Sequence, residues 1–307
     1  MTDELVKIAI VTGANTGLGL ATGRGLAEAG YTVILACRSE AKARSAMDEI
    51  RRMVPTASLD FIALDLIDRD SIRQFSATFS SRYDHLNLLV NNAGVMGPEY
   101  TITANGLELQ FDANHIGHFY LTSLLIPMLD QEYETRVINV SSLAAKRDWA
   151  DIHFDNLNFE GTYDDGQKVF GLNGMVAYSQ SKLANVLFTL ELKDRLASAG
   201  KHIKAVVVHP GVSATDLGRN MPLHLRLLAP VLAPLMGMSK PAQGAESALY
   251  GALASDVEAG DFIGPTGKGE RSGPPGKVPL PVKASDHDLQ KKLWALSEEK
   301  LGITFNV

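Results

Sequence analysis

A tyrosine and a lysine at helical spacing are the residues in this sequence best suited to proton transfer. Tyr178 and Lys182 begin a long apolar-periodic run, so a helix there places both side chains on one face. A free phenol has a pKa of roughly 10, and an ammonium one turn away stabilises its phenolate form. The pair could therefore exchange a proton with a substrate near neutral pH. The alternative is that both are surface residues of an ordinary helix.

A glycine-rich turn near the start of the chain could hold a dinucleotide. Leu5 to Val11 predicts a buried strand, and the turn Thr12 to Gly19 follows it directly. Leu20 to Ala29 then predicts a helix, so backbone N–H groups and a helix N-terminus meet where a pyrophosphate could sit. The spacing is Gly-x-x-x-Gly-x-Gly. A simple turn is the alternative.

Composition sets limits on the class of protein. The chain has 307 residues, of which 45% are hydrophobic and 21% charged, which predicts a globular protein with a full core. A net charge of −6 argues against nucleic acid as a partner. The only cysteine, Cys37, excludes an internal disulfide and favours a reducing compartment. The acidic start shows neither a signal peptide nor a transmembrane segment, so we expect a soluble cytoplasmic protein.

Several motifs together resemble the short-chain dehydrogenase/reductase family. They are the Thr-Gly-x-x-x-Gly-x-Gly turn, Asn-Asn-Ala-Gly at 91–94, the serine pair 141–142 after a fifth strand predicted at 136–140, Tyr-x-x-x-Lys at 178–182, and Pro-Gly at 210–211 after a sixth strand predicted at 202–208. The long insert before Tyr178 and the stretch Tyr-Ser-x-Ser-Lys-Leu-Ala-Asn are closest to the retinol dehydrogenase-like and protochlorophyllide reductase-like subgroup. The resemblance covers about residues 6 to 217. It implies an α/β fold: a doubly wound (Rossmann) parallel sheet of about seven strands with helices on both faces.

The resemblance also implies a nicotinamide cofactor and the residues that hold it. Arg38 follows the second strand, predicted at 32–37, near the adenosine ribose of such folds. An arginine there accommodates a 2′-phosphate and so favours NADP(H). A solvated arginine at a helix start is the alternative. Asp65 is expected to contact the adenine ring. The implied cofactor-binding residues are Gly13, Asn15, Thr16, Gly17, Leu18, Gly19, Arg38, Asp65, Leu66, Asn92, Ala93, Gly94, Tyr178, Lys182, Pro210, Gly211, Val212 and Thr215.

Four residues carry the catalytic roles that the resemblance implies. Tyr178 is the general acid/base, and Lys182 lowers its pKa and binds the nicotinamide ribose. Ser142 holds the substrate oxygen, with Ser141 as the close alternative. Asn114 holds a water of the proton relay, unless it is purely structural. His115 and His118 have no metal-like companions, so we predict packing or surface histidines and no metal site.

The second half of the chain carries an insert and a flap. The insert between Ser142 and Tyr178 is glycine-rich over 161–174 and would line the substrate side of the cleft. Residues 213–240 form the expected substrate flap, whose apolar, methionine-containing part suggests a lipophilic substrate. A membrane-surface contact or a partner interface is the alternative. Residues 264–281 are predicted as a loop, and 285–301 as a closing helix.

These observations lead to one functional prediction with two rivals. We expect a single domain over 1–307 that interconverts a carbonyl and an alcohol with NADP(H), as a carbonyl reductase or alcohol dehydrogenase does. Reduction of a carbon–carbon double bond, as in light-dependent protochlorophyllide reductases, is the first rival. The active sites of those enzymes usually hold a cysteine, whereas Cys37 belongs at the adenosine end. A non-catalytic NADP-binding sensor is the second. The resemblance implies a homodimer or homotetramer built on helices predicted at 103–129 and 178–199.

Overall fold

One mixed sheet forms the centre of the molecule. The computed structural model describes residues 6–129, 134–161, 172–212 and 241–307. Within them, eight strands pair in the order β3-β2-β1-β4-β5-β6-β7-β8, and all neighbours are parallel except β7 and β8. The strands are β1 Ile8–Thr12, β2 Thr32–Cys37, β3 Leu59–Ala63, β4 Leu88–Asn91, β5 Thr135–Val140, β6 Ile203–Val208, β7 Phe262–Pro265 and β8 Pro275–Lys277. The predicted doubly wound α/β class is confirmed.

The eighth strand is the one departure from the predicted sheet of about seven strands. β8 lies inside the segment 264–281 that the sequence predicts as a loop. Its residues are Pro, Gly and Lys, which have low strand propensity. Among the strands of the described residues, it pairs only with β7, at the sheet edge. Its place depends on backbone pairing in a hairpin rather than on a hydrophobic pattern.

Helices cover both faces of the sheet. Successive residues of β1 point to opposite faces, so Ile8 and Ile10 join one core cluster while Ala9 and Val11 join another. Helices α1, α2 and α7 pack on the second face, and α3, α5, α6 and α8 on the first. The helices are α1 Gly17–Glu28, α2 Glu40–Met53, α3 Arg69–Arg82, α4 Leu109–Phe111, α5 Gly117–Leu125, α6 Leu172–Ser198, α7 Pro241–Leu253 and α8 His287–Leu301.

The helix predicted over 103–129 is shorter and less regular than expected. Gly106 adopts a φ of +73° in a turn closed by the bond from Thr103 N to Leu107 O, so the helix begins only at Leu109. A π-helical turn, Asp112–Ile116, then separates α4 from α5. Such turns are frequent at functional sites. Pro127 lies in the 3₁₀ turn Ile126–Met128 that closes the segment.

The last helix and the residues after it cover α5 and α6. Trp294 and Phe305 stack with ring centroids 4.7 Å apart, and both rings meet Phe119 edge-on. Every residue of α6 from Ala177 to Leu192 is buried. A homodimer or homotetramer on these helices would therefore require α8 to leave them. No helix in the described part of the chain is long and apolar enough to cross a membrane.

Candidate active site

Tyr178 and Lys182 lie buried at the carboxyl end of the central strand β5. Their exposed fractions are 8% and 3%, so neither is the surface residue that the alternative interpretation requires. Lys182 Nζ lies 5.8 Å from the centroid of the Tyr178 ring. The same Nζ donates to the carbonyl oxygen of Val140 over 3.0 Å. The sheet thus fixes an ammonium one helical turn from a phenol.

Asn114 binds the loop that follows β4. Its Oδ1 accepts from Val95 N over 2.8 Å, while Nδ2 donates to Val95 O over 2.9 Å and to Ser181 Oγ over 3.0 Å. A Cβ on Gly94 would lie 3.2 Å from Asn114 Oδ1 and 3.4 Å from Lys182 Nζ. The Asn-Asn-Ala-Gly loop therefore passes directly beside the lysine ammonium. The π-helical turn carries Asn114 at this point.

The two adjacent serines have different surroundings. Ser141 is 2% exposed, and its hydroxyl donates to the carbonyl oxygen of Lys182 over 2.7 Å. Ser142 is less buried and precedes the 3₁₀ turn Leu143–Lys146, where its Oγ accepts from Ala144 N over 3.2 Å. A hydroxyl that accepts in this way keeps its own proton to donate. Ser141 holds α6 in place, whereas Ser142 can reach a ligand.

A buried network that sequence reasoning missed links the catalytic and glycine-loop sides. Thr12 Oγ1 accepts from the backbone N–H groups of Asn92 and Ala93, each over 2.8 Å, and contacts His118 Nε2 at 2.9 Å. His118 Nδ1 lies 3.0 Å from the peptide oxygen of Asn114, which can only accept. In neutral His118, Nε2 is then the acceptor, and the Thr12 hydroxyl donates to it. Burial lowers the His118 pKa to about 4, consistent with this neutral form. The one sequence signal for Thr12 is its place between a strand and the first glycine.

The glycine turn is closely packed. Gly13 and Gly17 adopt φ of +67° and +58°, and a Cβ on Gly19 would lie 2.4 Å from Gly13 O and 2.5 Å from Asn92 Nδ2. Thr16, which precedes α1, places no side-chain hydrogen bond on the first helical turn. The turn therefore presents backbone and a helix N-terminus at close approach, which suits a pyrophosphate.

The predicted adenosine end lies around β2 and β3. Arg38 is exposed immediately after β2 and precedes Ser39, whose side chain caps α2 by accepting from Lys42 N. Asp65 accepts from Ile67 N through Oδ1, while its own N–H donates to Ser71 Oγ. A shallow groove of about 290 Å³ runs between the glycine turn and α2, lined by Asn15, Ala41, Lys42, Ser45, Ala46 and Glu49.

Comparison with known proteins decides the family. The family model for short chain dehydrogenases matches residues 7–153. Retinol dehydrogenase 14 of Mus musculus is 37% identical over 312 residues, covering 97% of this chain and 86% of that protein. Retinol dehydrogenase 13 of Homo sapiens is 38% identical over 300 residues, covering 97% and 85%. The chain belongs to the short-chain dehydrogenase family.

A solved structure shares the fold. This dehydrogenase superposes on a crystal structure of an uncharacterized protein from Mycobacterium paratuberculosis with a TM-score of 0.77, at 34% identity over 98% of this chain and 95% of that one. The predicted likeness to the retinol dehydrogenase-like subgroup is confirmed by the relatives. It is therefore an oxidoreductase of a family that uses a nicotinamide cofactor.

The dehydrogenase brings most of its predicted site residues to one edge of the sheet. Pro210 and Leu18 both lie against Gly244 of α7, because a Cβ there would be 3.2 Å from a carbon of each. Leu66 is buried, with its carbonyl oxygen against Gly117 of α5. Thr215, the flap 213–240 and most of the glycine-rich insert fall outside the described residues. In the described part of the chain, no group of three or more His, Cys, Asp and Glu side chains is arranged to hold a metal.

Proposed function

We propose that this dehydrogenase interconverts a carbonyl and an alcohol on a lipophilic small molecule, with NADP(H) as its cofactor. The observation that carries the proposal is the buried ammonium of Lys182, anchored on Val140 O one turn from Tyr178. Burial strengthens the electrostatic effect of an ammonium on a neighbouring phenol. The proposal is also supported by the glycine turn, where backbone N–H groups and the N-terminus of α1 suit a pyrophosphate, and by Gly94, whose backbone passes beside the lysine ammonium.

In the direction of reduction, Tyr178 supplies the proton. Bound NADPH would supply a hydride to the carbonyl carbon. The phenol of Tyr178 donates its proton to the carbonyl oxygen, and the ammonium of Lys182 stabilises the resulting phenolate. The hydroxyl of Ser142 donates a hydrogen bond to the same oxygen as charge develops there. Lowering a phenol pKa from about 10 to about 7 takes roughly 4 kcal/mol of preferential phenolate stabilisation.

Asn114 supports proton resupply in this scheme. After the transfer, the phenolate must recover a proton from solvent. Asn114 Oδ1 and Lys182 Nζ both lie beside Gly94. Its side-chain bonds to Val95 and Ser181 fix the π-helical turn beside the lysine. We assign it to the relay between Lys182 and solvent.

The choice of NADP(H) rests on the adenosine end. Arg38 is exposed immediately after β2, where it is available to pair with a 2′-phosphate. Lys42 lines the adjoining groove together with Asn15, and it adds a second cation to that surface. An acid, which would favour the free 2′-hydroxyl of NAD, is absent from the position directly after β2.

Turnover with a substrate panel tests the proposal. NADPH absorbance would be followed with retinal, long-chain aldehydes, ketones and activated enones, with NADH in parallel. Retinal is included because the relatives carry retinol in their names. We expect NADPH consumption with a lipophilic carbonyl and a loss of about 10²- to 10⁴-fold in kcat for Tyr178→Phe. NADPH binding without turnover would favour the sensor, and preference for NADH would contradict the assignment of Arg38.

Reduction of a carbon–carbon double bond is the weaker alternative. Cys37 is the only cysteine, and it is buried at the end of β2, with β1 and β4 between that strand and β5. It therefore lies on the adenosine side rather than beside Tyr178. Turnover of enones with transfer to the double bond, and none of carbonyls, would reverse the assignment.

A further inference from the structure

Three side chains from distant parts of the chain meet beside the site without a role in the chemistry above. Glu270 Oε2 accepts from Lys146 Nζ over 2.5 Å and lies 3.0 Å from His209 Nε2. We call Lys146, His209 and Glu270 the Glu270 cluster. Lys146 ends the 3₁₀ turn that follows Ser142, and His209 directly follows β6. Glu270 belongs to the hairpin connection between β7 and β8.

Hydrogen bonding defines the protonation of the cluster. His209 Nδ1 accepts from Gly211 N over 3.2 Å, so the ring proton is on Nε2 and is donated to Glu270. Burial lowers the His209 pKa to about 4, so the ring is neutral near pH 7. The charge of Glu270 is then balanced by Lys146, whose Nζ also lies 4.9 Å from the Phe262 ring centroid.

The hairpin connection between β7 and β8 also binds and packs against the backbone that follows β6. Arg271 O accepts from Val212 N over 3.0 Å. Gly211 adopts a φ of +75°, and a Cβ there would lie 2.4 Å from the same Arg271 oxygen. The imidazole of His209 itself fills the space above Gly264, where a Cβ would be 2.1 Å from Nε2. Residues 209–212 are thus held by side-chain and backbone contacts at once.

Glu270 is in a backbone conformation that non-glycine residues rarely adopt. Its φ is +56°, and the preceding Gly269 has a φ of +63°. Such a conformation persists where surrounding contacts over-determine it, and it is frequent at functional sites. Here the contacts are the two hydrogen bonds of its carboxylate and the bond from Glu270 N to Gly267 O.

We propose that Glu270 is a positioning residue that fixes the nicotinamide-side segment Pro210–Val212 relative to the turn that carries Ser142. The inference rests on the proposed function, in which that segment contacts the nicotinamide and Ser142 binds the substrate oxygen. The hydride donor and the hydroxyl that binds the substrate oxygen must be aligned for transfer. Small displacements of either one strongly lower the rate of hydride transfer. One carboxylate oxygen joins the two segments, because Glu270 Oε2 contacts both Lys146 Nζ and His209 Nε2.

A comparison of two ligands separates positioning from general damage. NADPH carries the nicotinamide, whereas 2′,5′-ADP carries only the adenosine half. For Glu270→Ala we expect NADPH affinity to fall about tenfold and kcat about 10²-fold, with 2′,5′-ADP affinity unchanged. Glu270→Gln keeps an acceptor for His209 but loses the charge that pairs with Lys146, so its losses are intermediate. Lys146→Met should add little to Glu270→Ala, because both remove the same link.

Controls make the outcome decisive. Glu258→Gln removes the charge of an exposed carboxylate near β7 that pairs with Lys204, and it should change none of these values. If Glu270→Ala weakened the binding of NADPH and of 2′,5′-ADP equally, the effect would be a general structural one and the proposal would be overturned. Unchanged NADPH affinity and kcat would overturn it as well. If the wild type binds NADPH without turnover, the proposed function fails, while the two-ligand comparison still tests the position of Pro210–Val212.

Discussion

Thr12 and His118 are 106 residues apart in the chain, and their side chains meet at 2.9 Å in the interior. This contact joins the end of β1 to α5, which follows the π-helical turn that carries Asn114. It also lets one hydroxyl serve three polar groups, because Thr12 Oγ1 accepts from Asn92 N and Ala93 N while it donates to His118. The glycine-turn side and the catalytic side of the site therefore share one buried hydroxyl.

Removal of that hydroxyl should destabilise the fold. Thr12→Val keeps the shape but leaves the Ala93 N–H group and the His118 Nε2 acceptor without the hydroxyl, whereas Asn92 N keeps its bond to Val90 O over 3.0 Å. Each unsatisfied group costs about 1–3 kcal/mol when it is buried, so we expect the free energy of unfolding to fall by about 2 kcal/mol or more. Urea unfolding would measure it. Thr12→Ser retains the hydroxyl and should lose far less; a Thr12→Val protein as stable as the wild type would contradict the network.

Arg38 should determine the preference for the phosphorylated cofactor. Hydrogen bonds to charged groups are worth about 1.5–3 kcal/mol, so Arg38→Leu should weaken NADPH binding about 10- to 100-fold and leave NADH binding unchanged. Titration of cofactor fluorescence gives both dissociation constants. Arg44→Leu is the matched control, because Arg44 is an exposed arginine of α2 that pairs with Glu40. Equal effects of the two substitutions would argue against a phosphate contact at Arg38.

Three buried histidines should make the fold sensitive to mild acid. Burial lowers the pKa of His115 to about 3 and those of His118 and His209 to about 4. A histidine in the unfolded chain titrates near pH 6.5, so the unfolded state binds more protons as the pH falls from about 6.5 to about 4. Stability is therefore retained above pH 6.5. Below it, each histidine lowers the free energy of unfolding by about 1.4 kcal/mol per pH unit.

Urea unfolding at several pH values would measure this dependence. Between pH 6.5 and pH 4, His115→Phe should reduce the slope of the free energy of unfolding against pH by about 1.4 kcal/mol per pH unit, which is the contribution of one histidine. His202→Gln, at an exposed position, should leave the slope unchanged. A free energy of unfolding that stays constant down to pH 5 would show that the buried histidines remain hydrated or take up protons in the folded state.

The cover formed by α8 should keep the protein monomeric. Because α5 and α6 are enclosed, we expect a mass near 33.1 kDa by light scattering, in contrast to the homo-oligomer that the resemblance implies. Trp294→Ala removes the side chain that packs on Phe119, which should cost about 3–5 kcal/mol of stability and expose an associating surface. Twice the monomer mass for the wild type would show that another surface mediates association.

The regular parts of the fold follow from local sequence. The strand predictions succeed for β1, β2, β5 and β6 because apolar runs rich in β-branched residues end at turn residues. β8 has no such run, and its position depends on a hairpin partner. The break before Leu109 depends on the positive φ of Gly106, which apolar periodicity over the surrounding residues does not reveal.

Some residues of the site can be predicted from short motifs, whereas others depend on contacts between distant parts of the chain. Tyr178, Lys182 and the glycine turn are short motifs whose spacing already implies their geometry. The distinction between Ser141 and Ser142 needed the contact with Lys182 O, which no local pattern encodes. Thr12 with His118, and Glu270 with Lys146 and His209, are contacts between residues far apart in the chain. Sequence periodicity carries no information about such pairs.

The closure of α5 and α6 by α8 has a consequence for synthesis on the ribosome. Phe119 and Phe188 are translated long before Trp294 and Phe305, the rings that cover Phe119. A chain cut before α8 should therefore bind an apolar dye that the full chain excludes, and failure to do so would show that this face closes without α8. During translation, the chain carries an aromatic surface open to water and to chaperones until its last helix emerges.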